Sequence, residues 1–520
     1  MELSSLDSLV FITYFGVIFI IALRVARTPR GHHRNTEDYF LASRSLPWWI
    51  IGSSLIAANI STEQLIGMNG SAFVSGIAII SYSWLGACIP QLIVAKFFLP
   101  TFLKMKVYSM PQYLEKRFDR RVSTGMGVFW LLVYVFVNLT SVLYLGALSL
   151  QTMIGVPLIY GIIFLAVVAG AFTVYGGLSP IAWTDFIQVA VLIAGGMAVL
   201  YFGLSEISGG KGPLIGLAEL MSRAPERFHT VLDASHPDLP WPGVFFGGLW
   251  IAAVSYWGCN QYIIQKALAA KSLREAQYGL VFASFLSVIV SVIIVFPGIV
   301  ASVLYSDVIT KADEAYPTLI RELVPEGWTG LIIAALVAAI VSSLNSMTNS
   351  ASTIFTMDIY SGIVGPTSQA KLVRVGRLAS GGVLIIAATI APKLSNLGQA
   401  FQFIQEYTGF VTPGVMAIFL FGLFWRKTTS AAALAAALGT IPVSALLKFL
   451  LPSMGFLNRM GVTFALLCIL IIVITLASRP SAKADDSLVL KAAESGTPLA
   501  FNVLAISMLG LVGALYLYFW

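Results

Sequence analysis

Three runs of polar residues interrupt long apolar stretches of this sequence, and their side chains are of types that bind ions or small polar solutes. The first run includes Asn59, Glu63 and Gln64. The second covers residues 255–261, and the third covers residues 342–353, in which nine of the twelve residues are Ser, Thr or Asn. Hard cations prefer oxygen ligands, and the same groups hydrogen-bond a polar solute. The pattern therefore predicts binding chemistry inside apolar segments.

The 342–353 run allows two interpretations. Its hydroxyls can bond to carbonyls one turn back and let helices pack closely. Alternatively, residues 339–343 offer a carbonyl and adjacent hydroxyls to a cation, while an unwound helix at residues 57–61 frees further carbonyls. Polar groups at both places are costly in lipid unless they line a cavity. Together the two segments favour an ion site between them.

Carboxylates are few within the apolar segments, which contain Glu63, Asp185 and Glu406, with Asp358 near a predicted cytoplasmic helix end. Asp185 lies at a predicted helix start, so either the helix dipole stabilises it or it serves the site. All four histidines lie in predicted loops, and no HExxH, GxSxG or paired-carboxylate pattern lies within an apolar segment. The sequence thus argues against a His-based proton relay, an intramembrane metal site and an enzyme.

The elements that must position these residues are membrane-spanning helices. Of the 520 residues, 58% are hydrophobic and 11% are charged, whereas a soluble chain carries roughly 25% charged residues. An apolar helix of about 20 residues crosses the hydrocarbon core of a bilayer. Fourteen windows satisfy this requirement, at residues 7–26, 46–70, 76–103, 122–150, 156–175, 183–204, 243–266, 277–304, 328–361, 375–392, 397–424, 429–450, 460–478 and 498–519.

The basic residues predict the orientation of these spans. The net charge is +7, but the basic residues flank apolar spans and form no basic face with interleaved aromatics, so nucleic-acid binding is not expected. With the N-terminus outside, the inner loops hold 23 of the 31 Lys and Arg residues, Lys266 among them, and the outer loops hold 8. This bias predicts a multi-pass protein of the inner (plasma) membrane with both termini outside.

Spans two and seven both carry polar residues near their middle and lie five spans apart. This offset is expected for two inverted repeats that each open with a broken helix. The predicted fold class is an all-α integral membrane protein with a five-helix inverted-repeat core. Its predicted parts are a leading helix and cytoplasmic loop (1–45), a first repeat (46–205), an outer loop (206–242), a second repeat (243–425) and three trailing helices (426–520).

The chain resembles the sodium/solute symporter family along nearly its whole length, and most of all the bacterial sodium/galactose and sodium/glucose symporters. Several long matches occur in the same order as in that family. They cover residues 36–42, 45–49, 54–61, 137–146, 175–179, 183–185 and 405–409. The family has an inverted-repeat fold with one leading and three trailing helices, which agrees with the span count.

The resemblance implies a sodium site and a sodium path. The sodium ligands are the carbonyls of Ala57, Ile60 and Ala339 and the hydroxyls of Ser342 and Ser343. All five positions match the family, and they lie in the two segments that are unsuited to lipid. Asp185 matches an acidic residue associated with the path of the ion.

The resemblance also implies a sugar site, although some of its positions differ. The matching sugar contacts are Asn59, Gln64 and Gln405, the inner gate is Tyr256, and the outer gate is Met68, Tyr82 and Phe401. Four further positions depart from the galactose transporter: Ser83, Gly86, Ala253 and Ser287 replace Glu, Ser, Asn and Lys. Because an unpaired polar group costs about 1–3 kcal/mol, galactose is disfavoured, and a hexose or polyol with fewer charged contacts is expected.

The predicted function is sodium-coupled import of a neutral sugar or polyol by alternating access, with one sodium ion per solute. The expected partners are Na+, the solute and the lipid bilayer, with a possible homodimer. A symporter of the same family for an amino acid, sialic acid or another carboxylate would need a cationic side chain at the matched positions. A membrane enzyme acting on lipid would need a catalytic dyad, and a sensor would need an output domain after the last span.

Overall fold

Helices make up the regular structure of the molecule. The computed structural model describes residues 4–26, 35–176, 178–396, 400–478 and 497–520. Within these ranges there is no β-strand, and two isolated bridges join Leu46 to Ala270 and Leu232 to Pro240. The predicted all-α class is confirmed.

The first half of the chain contains twelve α-helices. They are α1 (Ser5–Ala26), α2 (Thr36–Leu41), α3 (Trp48–Asn59), α4 (Asn69–Ser75), α5 (Ser81–Ser83), α6 (Ile89–Phe97), α7 (Leu99–Lys104), α8 (Met110–Arg117), α9 (Arg120–Val133), α10 (Thr140–Ile154), α11 (Leu158–Gly176) and α12 (Leu178–Ile207). Wider π-helical turns lie at Glu63–Met68, Trp84–Cys88 and Tyr134–Leu139, and 3₁₀ turns lie at Ala42–Arg44 and Gly76–Ile80.

The second half contains fourteen more α-helices. They are α13 (Pro213–Arg223), α14 (Trp241–Phe245), α15 (Gly248–Cys259), α16 (Gln261–Leu268), α17 (Leu273–Leu304), α18 (Ala315–Leu323), α19 (Trp328–Thr353), α20 (Ser361–Val364), α21 (Gln369–Ile390), α22 (Ala400–Thr408), α23 (Thr412–Phe424), α24 (Ser430–Leu450), α25 (Phe456–Ala477) and α26 (Leu499–Tyr518). A π-helical turn lies at Ile354–Tyr360, and 3₁₀ turns lie at Pro225–Phe228, Ala312–Glu314 and Ala391–Asn396.

Many of these helices are long and apolar enough to cross a membrane. In the described ranges, nine helical stretches meet that criterion by length and composition, and three apolar helices are shorter. Every predicted span overlaps one helix or one group of helices. The exact number of fourteen stays a prediction, since spans two and seven are divided into short helices. The predicted inner loops around 27–34 and 479–496 and the start of span 397–424 lie outside the described residues.

One glycine separates the second span from the third. Gly76 adopts a φ of +65°, and a Cβ there would collide with the Arg227 carbonyl. A left-handed backbone with such a close approach suits glycine alone. The chain therefore turns after α4, as the span boundary near residue 76 predicts.

The helices α3 and α15 are both interrupted inside predicted spans. Each has 12 residues, and each ends in a residue with extended backbone, Ile60 (φ −79°, ψ 93°) and Asn260 (φ −78°, ψ 124°). The helix α3 packs against α12, α17 and α19, and α15 packs against α6, α23 and α25. The two broken helices expected from the polar runs are therefore present.

The helix α19 lies at the centre of the bundle. Nearly all of its residues are buried, including the polar run. Its N-terminus is held by Asp7 of the leading helix, whose Oδ1 accepts hydrogen bonds from the amides of Gly327 (2.8 Å) and Gly330 (2.7 Å). A carboxylate at this end satisfies free amides and complements the helix dipole. The outermost helices α24 and α26 instead expose large apolar side chains such as Phe449 and Leu517, as lipid-facing helices do.

Candidate functional site

The interruption after α3 diverts two amides from their helical partners. The Ser61 amide donates to the Asn59 carbonyl (3.0 Å) and to Gln64 Oε1 (3.0 Å), and the Gln64 amide donates to the Ser61 carbonyl (3.1 Å). In a continuous α-helix those two amides would bond to the carbonyls of Ala57 and Ile60. The break thus removes the usual hydrogen-bond donors of the two carbonyls that the family resemblance implies as sodium ligands.

Hydroxyls of α19 lie against this break. Ser343 Oγ donates to the Ala58 carbonyl (3.3 Å), and Ser342 Oγ donates to Asp185 Oδ1 (2.5 Å). A hydroxyl that donates its hydrogen keeps lone pairs that can coordinate a cation. Ala339 lies one turn earlier on the same helix, and all five predicted sodium ligands are buried. Their oxygens suit a hard cation, and their sodium-binding role stays a prediction.

Asp185 is part of a buried ion pair. Its Oδ2 lies 2.9 Å from Lys266 Nζ, with both side chains 1% exposed. The same oxygen accepts a hydrogen bond from Ser54 Oγ. The carboxylate is therefore held by one ammonium group and two hydroxyls, those of Ser54 and Ser342.

This pair corrects two interpretations of the sequence. Lys266 is not a loop residue, because it lies within α16 and is buried; without it the predicted inner loops hold 22 basic residues against 8. Asp185 is not at a helix start either, because α12 begins at Leu178, almost two turns earlier. The helix dipole acts on the first turn, so Lys266 and the two hydroxyls stabilise the carboxylate instead.

A central cavity of about 170 Å³ adjoins the break. One water needs only ~10–15 Å³ by a comparable measure, so the space suits a small molecule. The lining includes every predicted substrate-contact and gate residue: Asn59, Gln64, Met68, Tyr82, Ser83, Ala253, Tyr256, Ser287, Phe401 and Gln405, with Gly86 beside them. Residues from both halves of the chain, scattered over about 350 positions, thus meet around one space.

Several polar groups of the cavity already have internal partners. Gln64 Oε1 accepts hydrogen bonds from the Ser61 hydroxyl (2.9 Å) and from the Ser61 backbone amide. The side-chain nitrogen of Gln64, Nε2, therefore remains as the donor for a solute. Ser287 Oγ donates to the Ala283 carbonyl (2.9 Å) and accepts from Gln91 Nε2 (3.3 Å). Ala253 contributes only a methyl group. The positions that depart from the galactose transporter therefore offer no ionic contact.

Two pairs of aromatic rings line the cavity. Tyr82 and Phe401 meet edge to face, with ring centroids 5.3 Å apart. Elsewhere, Tyr262 donates its hydroxyl hydrogen to the Tyr256 hydroxyl (2.8 Å), and the two rings meet at 80°. Aromatic rings of this kind can cover a bound solute, and the gate assignments stay predictions.

The interruption after α15 is closed by Tyr134, a residue that the sequence did not indicate. Its hydroxyl donates to Asn260 Oδ1 (2.5 Å) and accepts from the Gln261 amide (2.9 Å). Tyr134 lies in a different predicted span, 126 residues away. The sequence signal for it was indirect, since a break at residue 260 must leave an amide that needs an acceptor.

The intramembrane carboxylates lie in different surroundings. Glu63 lines the cavity together with Tyr256 and Tyr262. Glu406 does not line it and pairs with Lys448 (2.9 Å) and Arg459 (2.7 Å). Asp358 accepts from Ser109 Oγ (2.8 Å). Of the four carboxylates, Glu63 and Asp185 therefore lie at the candidate site.

Two helices interrupted at matching places around a central cavity with polar side chains in its wall are the architecture of a secondary transporter. The chain belongs to the sodium:solute symporter family, whose family model matches residues 39–439. This agrees with the resemblance found in the sequence.

Two relatives support this membership, and one solved structure shares the fold. It is 47% identical to the sodium/glucose cotransporter of Vibrio parahaemolyticus, covering 100% of this chain and 99% of the relative. It is 33% identical to sodium/myo-inositol cotransporter 2 of Mus musculus, covering 81% of this chain and 67% of the relative. The structure of a Na+-coupled sialic acid symporter in a substrate-bound outward-open state has the same fold, with a TM-score of 0.81, 22% identity, and 92% and 99% of the two chains covered.

Proposed function

We propose that this multi-pass membrane protein is a sodium-coupled symporter that imports a neutral sugar or polyol by alternating access. One observation carries the proposal: the break after α3 belongs both to the predicted ion site and to the cavity wall. Ala57 and Ile60 contribute predicted sodium ligands, and Asn59 and Gln64 of the same segment line the cavity. An ion that stabilises this backbone also positions the solute contacts, which couples the two binding events. The glucose and myo-inositol relatives support the substrate class.

Sodium would bind between α3 and α19. The carbonyls of Ala57, Ile60 and Ala339 and the hydroxyls of Ser342 and Ser343 would surround it. Because Ser342 donates its hydrogen to Asp185, its lone pairs are available to the ion. Sodium would therefore stabilise the interrupted form of α3 and the arrangement of helices around it. Asp185 would lie beside the path along which the ion leaves.

The solute would lie in the central cavity between Gln64 and Gln405, stacked on Tyr256. Asn59 supplies another polar contact, while Ser83, Ala253 and Ser287 form a part of the wall without ionic groups. Met68, Tyr82 and Phe401 would close the outer side, and Tyr256 the inner side. Alternating opening of these two sides would carry ion and solute together.

The composition of the cavity wall favours a neutral substrate. Among the described residues that line it, none is Lys, Arg or His. A carboxylate substrate needs a charge-assisted partner to offset its desolvation, and the described lining supplies none. This argues against sialic acid and other carboxylates. An amino acid would also leave its carboxylate without a cation.

The driving forces are sufficient for accumulation. An inside-negative potential contributes about 2.3 kcal/mol per charge per 100 mV, and a tenfold sodium gradient adds roughly 1.4 kcal/mol. At one sodium per solute the sum sustains a solute gradient of several hundredfold. The proposed setting is the plasma membrane with both termini outside, as the loop charges predict, and a homodimer is compatible with this. Transport, and not catalysis, is the proposed activity.

Uptake into proteoliposomes tests the proposal. Purified protein is reconstituted, a sodium or choline gradient is imposed, and labelled hexoses, inositols, amino acids and sialic acid are compared in parallel. We expect sodium-dependent, potential-stimulated uptake of a hexose or inositol, and competition by other neutral polyols. Competition by amino acids alone, or by sialic acid alone, would contradict the substrate class. Equal uptake in choline would contradict sodium coupling.

A further inference from the structure

The Asp185 cluster, defined here as Asp185, Lys266, Ser54 and Ser342, joins four helices. Ser54 lies on α3, Asp185 on α12, Lys266 on α16 and Ser342 on α19. The ion pair spans 2.9 Å, and both hydroxyls donate to the carboxylate. The cluster thus links the first half of one interrupted span to the second half of the other.

Structural stability is a weak explanation for such a group. A buried ion pair loses the solvation of both charges, and apolar residues of the same volume often serve a fold equally well or better. The pair also lies in a chain with few intramembrane charges. Buried ionisable groups within membrane spans are typical of functional sites. A role in transport is therefore a better explanation of the cluster than stability.

The cluster has the composition of a cation site, and the cation in it is the Lys266 ammonium group, which belongs to the protein. A carboxylate and two hydroxyls are the oxygen ligands that sodium prefers. The Lys266 ammonium is at hydrogen-bond distance from that carboxylate and is covalently tied to α16. Ser342 belongs to both this cluster and the proposed sodium site, so the two cation positions are neighbours. One of them is already filled by an ammonium group that cannot be transported.

We propose that Lys266 is a resident cation that takes the place of a second sodium ion at Asp185, so that one sodium ion is bound per solute. This inference rests on the proposed function and adds the residue that sets its stoichiometry. Lys266 acts through Asp185 and Ser342, as a positioning residue. It neutralises the carboxylate without leaving, and it keeps Ser342 hydrogen-bonded to Asp185 and oriented for the one exchangeable ion. Removing the ammonium leaves an oxygen-lined position with an uncompensated charge, which a sodium ion fills.

Equilibrium binding of ²²Na+ to purified protein measures this directly. We expect one sodium ion per protomer for the wild type, and one more for Lys266→Gln. Lys266→Arg keeps a tethered cation and should bind as many sodium ions as the wild type. The double variant Lys266→Gln/Asp185→Asn has neither charge and should return to the wild-type number. Equal numbers for Lys266→Gln and the wild type would overturn the inference, and so would an extra ion that persists in the double variant.

Transport gives a second readout. In proteoliposomes the Hill coefficient for sodium activation should rise from about one to about two in Lys266→Gln, and the ratio of sodium to solute flux should double. Lys266→Arg should leave both unchanged. An unchanged flux ratio in an active Lys266→Gln variant would count against the role of Lys266.

Thermal melting tests the inference in variants that fold poorly. Lys266→Gln and Lys266→Ala should regain stability with increasing sodium but not with choline, and by more than the wild type does, because an extra ion binds only the folded form. Instability that sodium does not relieve would overturn the inference. The difference between variant and wild type tests Lys266, whereas absence of sodium binding by the wild type would contradict the proposed function itself.

Discussion

The two interrupted helices share a backbone form and differ in what fills the break. Both α3 and α15 have 12 residues and end in an extended residue. After α3, the amides of Ser61 and Gln64 turn away from the carbonyls of Ala57 and Ile60, and α19 brings hydroxyls alongside. After α15, the Asn260 amide reaches back to the Ser255 carbonyl (3.0 Å), and the Gln261 amide donates to the Tyr134 hydroxyl (2.9 Å).

The difference predicts separate roles for the two breaks. A tyrosine hydroxyl both donates and accepts, so Tyr134 satisfies an amide and a side-chain carbonyl in the same place. At the first break, hydroxyls of α19 lie beside the freed carbonyls, and such a set of oxygen atoms can coordinate a cation. The first break therefore suits an ion, and the second suits a hydrogen-bonded gate. Substitutions at each break can separate the two roles.

Ser343→Ala should have the largest effect, at the first break. It removes a predicted sodium ligand, and a bond from a neutral group to a charge contributes about 1.5–3 kcal/mol. We expect roughly a 10–150-fold rise in the sodium concentration for half-maximal uptake, with folding largely intact. Ser352→Ala is the matched control, because its hydroxyl lies on the same helix and donates to the Gly376 carbonyl (2.6 Å). Unchanged sodium dependence in Ser343→Ala would remove this residue from the sodium site.

Tyr134→Phe should act at the second break and leave sodium affinity within about twofold of the wild type. It deprives the Gln261 amide of its acceptor, and a buried unsatisfied group costs about 1–3 kcal/mol. We expect a lower melting temperature and a several-fold slower uptake. Tyr113→Phe is a buried control without that role. If Tyr134→Phe instead impaired sodium activation as strongly as Ser343→Ala does, the division between the two breaks would be wrong.

Gln405→Ala should have the smallest effect, because Gln405 lines the cavity but belongs to neither break. Loss of one hydrogen bond to a neutral solute costs about 0.5–1.5 kcal/mol, which corresponds to a rise in the solute KM of roughly 2–10-fold. Sodium affinity at saturating solute should not change. Initial uptake rates over a range of solute concentrations measure this. An unchanged KM would exclude Gln405 from the solute contacts.

Much of the site was predictable because polar residues stand out in apolar segments. Asn59 and Gln64, and the Ser-rich run on α19, are conspicuous, and the resemblance to the family located the remaining cavity residues. Lys266 was misassigned because it ends an apolar window, where a basic residue usually flanks the membrane. Its partner Asp185 is 81 residues away in sequence. Tyr134 was missed because its hydrogen-bond partners, like the partner of Lys266, lie in another predicted span far along the chain.

The sequence by itself determined the all-α membrane class, the family, and the two places where helices break. These follow from hydropathy, from composition and from local polar runs, which depend on residues close together in the chain. Only the tertiary structure decided which groups meet at each break: hydroxyls of α19 at one, Tyr134 at the other, and Lys266 against Asp185. The physical reason is that a polar group in a low-dielectric interior is stabilised by its spatial neighbours, and helix packing alone brings those neighbours together.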